Sequence, residues 1–252
     1  MRRKMASQSK KKKSTATVAP PTTAKSKLLS FSDLEIPVEP LLTREQEYFS
    51  GSRIRVCLRR LAALLPRHPE GYRRFLARMH EVSTGGTIMF SWLALKEHVE
   101  ADLTLATRSL DRAESLQESQ PRRALKQFQD GAAILQKYPL DPETLYQWSR
   151  EVAGNLRLNS TFGKVARFRR IDRILKEVVS VLEKERDRLV MPNFRLVLKE
   201  VFRYHPAGMK RSDLFQEGIL GLHKAVFRFD ASRSIRFSTY ATYWIRQSIR
   251  KS

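Results

Sequence analysis

The chain has 252 residues, 41% of them hydrophobic, and a formal charge of +22. That length and apolar content exclude wholesale disorder and allow one or two domains with a buried core, while such an excess of Lys and Arg makes a polyanion the first partner to consider, nucleic acid ahead of an anionic membrane surface. The single cysteine, Cys57, and five scattered histidines leave no internal disulfide and no metal-ligand spacing, so a reducing compartment, no metal and no cofactor are expected.

The charge is uneven along the chain. Residues 1–28 carry 9 basic and no acidic residues, 29–163 carry 18 and 17, and 164–252 carry 21 and 9. Two basic segments therefore flank a nearly neutral middle. The first, with Lys10 to Lys13 followed by Ser, Thr, Ala and Pro, lacks the large apolar residues needed to offset ordering entropy, and reads as a disordered basic tail. A transit peptide shares this composition, but the compact lysine block suits a nucleic-acid or solubilising tail better. The longest apolar run, Thr87 to Leu95, falls well short of the roughly 20 residues needed to cross a bilayer, so no transmembrane helix and no membrane partner are expected.

From residue 29 the next element is a helix over about Arg44 to Leu65. Thr43 stands as its N-cap and Gln46 three positions on, the spacing of a capping box. After Pro66 an amphipathic helical pattern continues through 163, broken at Gly85 and Gly86, at Pro121, and around Pro139 and Pro142. It shows no charge bias and no repeat of fixed period, and is expected to be a helical insert, 62–163, packed on itself.

A long helix follows over Lys164 to Val190. Phe168, Ile171, Leu175, Val178, Leu182 and Leu189 step by threes and fours with a gap at Glu185, the stripe of a helix packed on other helices. Pro192 stops it, and three more helices are expected at about Asn193 to Tyr204, Ser212 to Arg228, and Phe237 to the end. Strand-like alternation is not read anywhere, so the expected fold class is all-α.

On a helical wheel, Phe237 to Ser252 divides into two faces. Ala241, Ile245, Ser248 and Ile249 form a small, aliphatic one. Phe237, Tyr240, Trp244, Gln247 and Lys251 form another, flanked by Tyr243, Arg236 and Arg250. An aromatic stripe at this spacing is ordinarily core, but burying Arg236, Arg250 and Lys251 without partners would cost several kcal/mol, so the rim of this face is expected to stay wet. Rings beside cations suit unstacked bases, at about 1 to 3 kcal/mol per base, and Gln247 suits a bidentate bond to adenine in an adjacent duplex. The combination suggests a reader of a junction between single strand and duplex.

Residues 213–252, DLFQEGILGLHKAVFRFDASRSIRFSTYATYWIRQSIRKS, resemble the second conserved region of bacterial sigma-70 family factors, the promoter-recognition subunits of RNA polymerase. NFRLVLKEVFRY, from Asn193 to Tyr204, is similar to the helix preceding that stretch in the family, and PLLTREQE, ending at Glu47, is similar to the family's first conserved region. The resemblance implies two partners, core RNA polymerase and promoter DNA. Asp213, Gln216 and Glu217 stand where the family docks on a coiled coil of the largest polymerase subunit. Ile219 and His223 occupy further contact positions, in place of the usual Asn and Met. Tyr240 matches the ring that stacks on the flipped adenine of the minus-ten element, with Phe229 and Arg233 at positions lining that pocket. Tyr243 and Trp244 match the pair that wedges the duplex open, and Gln247 the reader of the upstream base pair. Arg250 replaces a small polar residue beside it, and Ile235 a tyrosine near the pocket. Arg236, Arg246 and Lys251 are expected to contact phosphates, which position without specifying sequence.

These expectations define a sigma factor with no catalytic residues, no small-molecule substrate and a cytoplasmic, nucleoid-associated location. The alternatives are a sigma-like chain that occupies the polymerase docking site as a competitor, and a nonspecific basic binder of single strands. The family usually continues into two further helical domains, so the ending at Ser252, inside the recognition helix, reads as a fragment. The family's housekeeping members often begin with an acidic autoinhibitory segment. Here the start is basic, and the tail is expected not to mask DNA binding.

Overall fold

The computed structural model describes residues 27–31, 34–154, 166–204, 210–233 and 235–251. Among them the fold is an all-α bundle of nine helices preceded by one short β-hairpin. The hairpin pairs β1 (Lys27–Phe31) antiparallel with β2 (Leu34–Val38), with Leu29 opposite Ile36. It corrects the expectation of no strand. The signal was the alternation of Leu34, Ile36 and Val38 with Glu35 and Pro37, a period of two over only five residues. The tail read over 1–28 otherwise lies outside the described residues, as do 155–163 of the insert.

Helix α1 (Arg44–Leu64) begins where the sequence places it. The Thr43 hydroxyl accepts from the Gln46 backbone N–H at 3.3 Å, and the Gln46 side chain accepts from the Thr43 N–H at 2.9 Å, satisfying two donors the helix cannot satisfy itself. α2 (Pro69–Ser83) and α3 (Val99–Leu116) follow, joined through a 3-10 segment, Phe90–His98. α4 (Pro121–Leu135) and α5 (Pro142–Gly154) each open on a proline, whose missing N–H costs nothing in the first turn. α6 (Ala166–Val190) then leads through a 3-10 turn into α7 (Phe194–Arg203), and α8 (Arg211–Arg228) and α9 (Phe237–Lys251) complete the chain.

α6 is the axis on which the halves meet. Its stripe is buried as read, and Glu185, the gap in that stripe, is buried too, because α1 supplies Arg53 at 2.9 Å. A buried carboxylate is tolerated where a cation accompanies it.

The insert does not pack only on itself, which corrects the expectation for 62–163. Its own core joins Tyr72 to Phe128 and Trp92 to Tyr138, with Gly131 leaving the space that the Tyr72 hydroxyl needs to reach the Ala106 carbonyl at 2.7 Å. Phe128 also meets Phe168 of α6 edge-on, with centroids 5.0 Å apart. Tyr146 of α5 packs on Phe227 of α8 at 5.1 Å, donates to Glu183 at 2.9 Å and accepts from Arg186 at 2.7 Å. Periodicity showed that the insert is helical and amphipathic. It carried no information about which surface each apolar face would meet.

Candidate nucleic-acid interface

α9 is held against α8 by a buried seam. Phe237, Ala241, Ile245, Ser248 and Ile249 are buried in it. Gly221 of α8 lies so close that an added Cβ would stand 2.6 Å from the Trp244 carbonyl oxygen and 2.9 Å from the Ile245 Cα. Phe237 is therefore a core residue, not part of the stacking face where the wheel put it. Its steps of four to Ala241 and Ile245 belong to the aliphatic stripe, and the wheel alone gave too broad an arc to the aromatic one.

The remaining rings form a ladder from the core to solvent. Phe229 is buried edge-on against Phe237, with centroids 5.2 Å apart. Tyr240, half-buried, follows at 5.9 Å from Phe229, and Trp244 at 6.3 Å from Tyr240. Tyr243 ends the ladder at 5.6 Å from Trp244, T-shaped, with 63% of its surface exposed. The Tyr240 hydroxyl donates to the Arg228 carbonyl at 3.2 Å, which fixes the ring's tilt while leaving part of its surface accessible.

The cations expected on this face fall into two groups. Arg250 and Lys251 are exposed. Arg233 is 75% exposed at its side chain and only loosely held, 3.6 Å from Asp230. Arg236 and Arg246, by contrast, are committed to buried carboxylates. Arg236 meets both oxygens of Glu47 at 3.0 to 3.1 Å and the Leu42 carbonyl at 2.9 Å. Arg246 holds Glu200 through two bonds at 2.7 and 3.1 Å, which keeps that carboxyl below its ordinary pKa. Both arginines were expected to bind phosphates. In this structure they tie α9 to α1 and α7, because each faces a buried acid that draws most of its compensation from it. No sequence signal linked Glu47 or Glu200 to them, the separations being 189 and 46 residues.

The loop from α8 to α9 is fastened at Asp230, which accepts from the Ser232 hydroxyl at 2.7 Å and backbone N–H at 3.0 Å, and from Arg55 of α1. The Ser232 bonds, with Arg55 beside them, hold the Asp230 carboxyl well below its usual pKa. The departure Ile235 in this loop is 43% exposed.

On α8, Asp213 and Gln216 are exposed and Glu217 half-buried. Leu220, absent from the expected set, lies among them with 52% of its surface exposed. Its position, seven residues after Asp213 and four after Gln216, is the signal that places it on the same face. Ile219 turns inward and packs on the core. His223 is half-buried, and burial, with Arg186 beside it, pushes its imidazole below the ordinary pKa. The structure thus brings Asp213, Gln216, Glu217 and Leu220 onto one outward face, and sets Ile219 and His223 back from it.

Among the described residues no helix is long and apolar enough to cross a membrane. Comparison with known proteins converges on the same C-terminal part. Residues 189–252 match the family model described as Sigma-70 region 2. The chain is 45% identical over 67 residues to the RNA polymerase sigma factor sigB of Arabidopsis thaliana, covering 27% of this chain and 12% of that protein. It is 44% identical over 78 residues to the RNA polymerase principal sigma factor HrdD of Streptomyces griseus, covering 31% of this chain and 24% of that protein. The chain therefore aligns with less than a quarter of the length of either relative.

Proposed function

From the premise that residues 189–252 are a sigma-70 region 2, we propose that the chain binds core RNA polymerase through the outward face of α8 and opens promoter DNA at the minus-ten element with the ring ladder of α9. The graded exposure from Phe229 through Tyr240 to Tyr243 is the observation that carries this reading.

The mechanism is base capture. Extruding a base costs a few kcal/mol, and a stacking ring with hydrogen-bonding neighbours offsets that cost only for the base that fits. Tyr240 is the stacking platform, and Phe229 supports it from below. Tyr243, protruding, and Trp244 behind it hold the end of the duplex open. Gln247 reads the adjacent base pair in the major groove. Arg233, Arg250 and Lys251 bind phosphates, whereas Arg236 and Arg246 keep the platform in place. Recognition and strand opening become one step, since the energy that selects the base is the energy that separates it.

The test is affinity for a single-stranded minus-ten oligonucleotide in the presence of core enzyme. Tyr240→Ala is expected to lose about 1 to 3 kcal/mol of binding, roughly fivefold to 150-fold, while Tyr240→Phe retains most of it. Unchanged affinity for Tyr240→Ala would overturn the reading. Runoff transcription with core enzyme separates it from the competitor alternative, in which the chain starts no transcript and only suppresses another factor's.

A further inference from the structure

Among the described residues, the insert reaches the nucleic-acid face through α5. α5 is anchored on α8 by the Tyr146 and Phe227 rings. Three residues before Tyr146, Glu143 Oε1 accepts from Arg228 Nε at 3.2 Å. The Arg228 guanidinium in turn lies 5.1 Å from the centroid of the Trp244 ring. Around this pair is a cleft of about 260 Å³, where Lys224, Arg228 and Lys251 gather beside Trp244 and Ser248, and among the described residues Glu143 is the one acidic side chain lining it. Trp244 also carries a buried Nε1–H with no hydrogen-bond partner.

We propose that this cleft seats a backbone phosphate of DNA, and that Glu143 of the insert occupies it in the free protein as a competing anion. The proposal rests on the DNA-binding reading of α9. A carboxylate and a phosphate both accept charge-assisted bonds from a guanidinium, so they compete for the same donor. The Glu143–Arg228 pair makes one bond, and the side chains are 32% and 40% exposed. Pairs of this kind are held weakly enough to exchange. An incoming phosphate meets three cations but must also displace the carboxylate, whose charge repels it. The insert thereby lowers the affinity of the free chain for DNA. It does so from a position fixed by Tyr146, and independently of the tail.

The experiment measures binding of the full-length free chain to a labelled fork-junction DNA by fluorescence anisotropy over a series of salt concentrations. Glu143→Gln is expected to raise affinity about threefold to tenfold and to steepen the plot of log affinity against log salt by about one unit for each further phosphate bound. In an Arg228→Gln background the same change is expected to have no effect. Glu114→Gln serves as the control for net charge, since the partner of Glu114 is Arg73 within the insert. Thermal melts establish that each variant folds. Equal gains from Glu143→Gln and Glu114→Gln, or no gain from the former, would overturn the proposal. Should Glu143→Gln be silent while Tyr240→Ala still abolishes minus-ten binding with core enzyme, the inference falls and the proposed function stands. Should no variant bind DNA, with or without core enzyme, both fall.

Discussion

Glu47 and Arg236, 189 positions apart, close the bundle around the start of α9. The Glu47 carboxylate is buried, accepts from Arg236 at 3.0 to 3.1 Å, and accepts also from the Phe237 backbone N–H at 3.1 Å. It therefore satisfies one of the free donors at the helix N-terminus and places a negative charge where the helix dipole favours it. The same contact draws Arg236 away from the DNA face. Glu47→Ala is expected to lower stability by about 2 kcal/mol, the scale of a lost charged hydrogen bond in a buried setting. Urea denaturation measures it, and the double variant with Arg236→Ala should be less destabilised than the two single changes added together.

Phe237 and Tyr243 share a helix and have opposite roles. Phe237→Ala should cost about 3 to 5 kcal/mol, the usual result of emptying a core aromatic site. Tyr243→Ala should leave stability within about 0.5 kcal/mol yet slow strand opening with core enzyme. A fluorescent base analogue placed in the minus-ten element reports the opening rate, and a thermal melt the stability.

Leu220 is an exposed apolar residue among Asp213, Gln216 and Glu217. If that face docks on polymerase, Leu220→Asp should weaken binding to core enzyme by about tenfold or more through loss of a central apolar contact, with an unchanged melting curve. Competition against a labelled sigma factor for core enzyme gives the readout. Leu93, 56% exposed in the insert, serves as the control, and Leu93→Asp should have no effect.

Gly221 sets the distance between α8 and α9. Gly221→Ala would put a Cβ 2.6 Å from a backbone oxygen, which no side-chain rotation relieves. The helices must separate, at about 1 to 3 kcal/mol. Because the oxygen belongs to Trp244, the change should reduce fork-junction binding as well as stability, and the two measurements together distinguish it from a purely structural lesion.

His68 is expected to make stability depend on pH. Its Nδ1 accepts from the Glu70 N–H at the start of α2, and burial lowers its pKa to about 4 from 6.5, opposed by Asp172 and Glu70 and aided by Lys176 and Arg73. The unfolded chain takes up the proton from about pH 6.5 downward and the folded one only near 4, so stability is full above that window and lost as pH falls through it. The loss is on the order of 3 kcal/mol. His68→Asn keeps the cap without the titration, and its stability should change less than the parent's between pH 7 and 5 in denaturation experiments.

The elements were legible from sequence wherever a local rule was strong. The capping box at Thr43 and Gln46, the stripe of α6, the stop at Pro192 and the breaks at Pro121 and Pro142 act over one or two turns, and each reappears in the structure, the last two as the first residues of α4 and α5. The β-hairpin escaped because five residues of alternation are too few to stand out beside helices. Along α9 the sequence told aliphatic from aromatic positions but misplaced Phe237, which is exposed on the wheel only until α8 arrives. What tertiary structure alone decided is which charges are free. Arg236, Arg246 and Arg250 look alike in sequence, yet two face buried acids from α1 and α7 and the third faces solvent. The insert likewise reads as neutral, and only its packing brings one carboxylate, Glu143, to Arg228 beside Trp244. Secondary structure follows from neighbours a few residues apart, whereas the state of a charge depends on whatever the fold brings within about 4 Å of it.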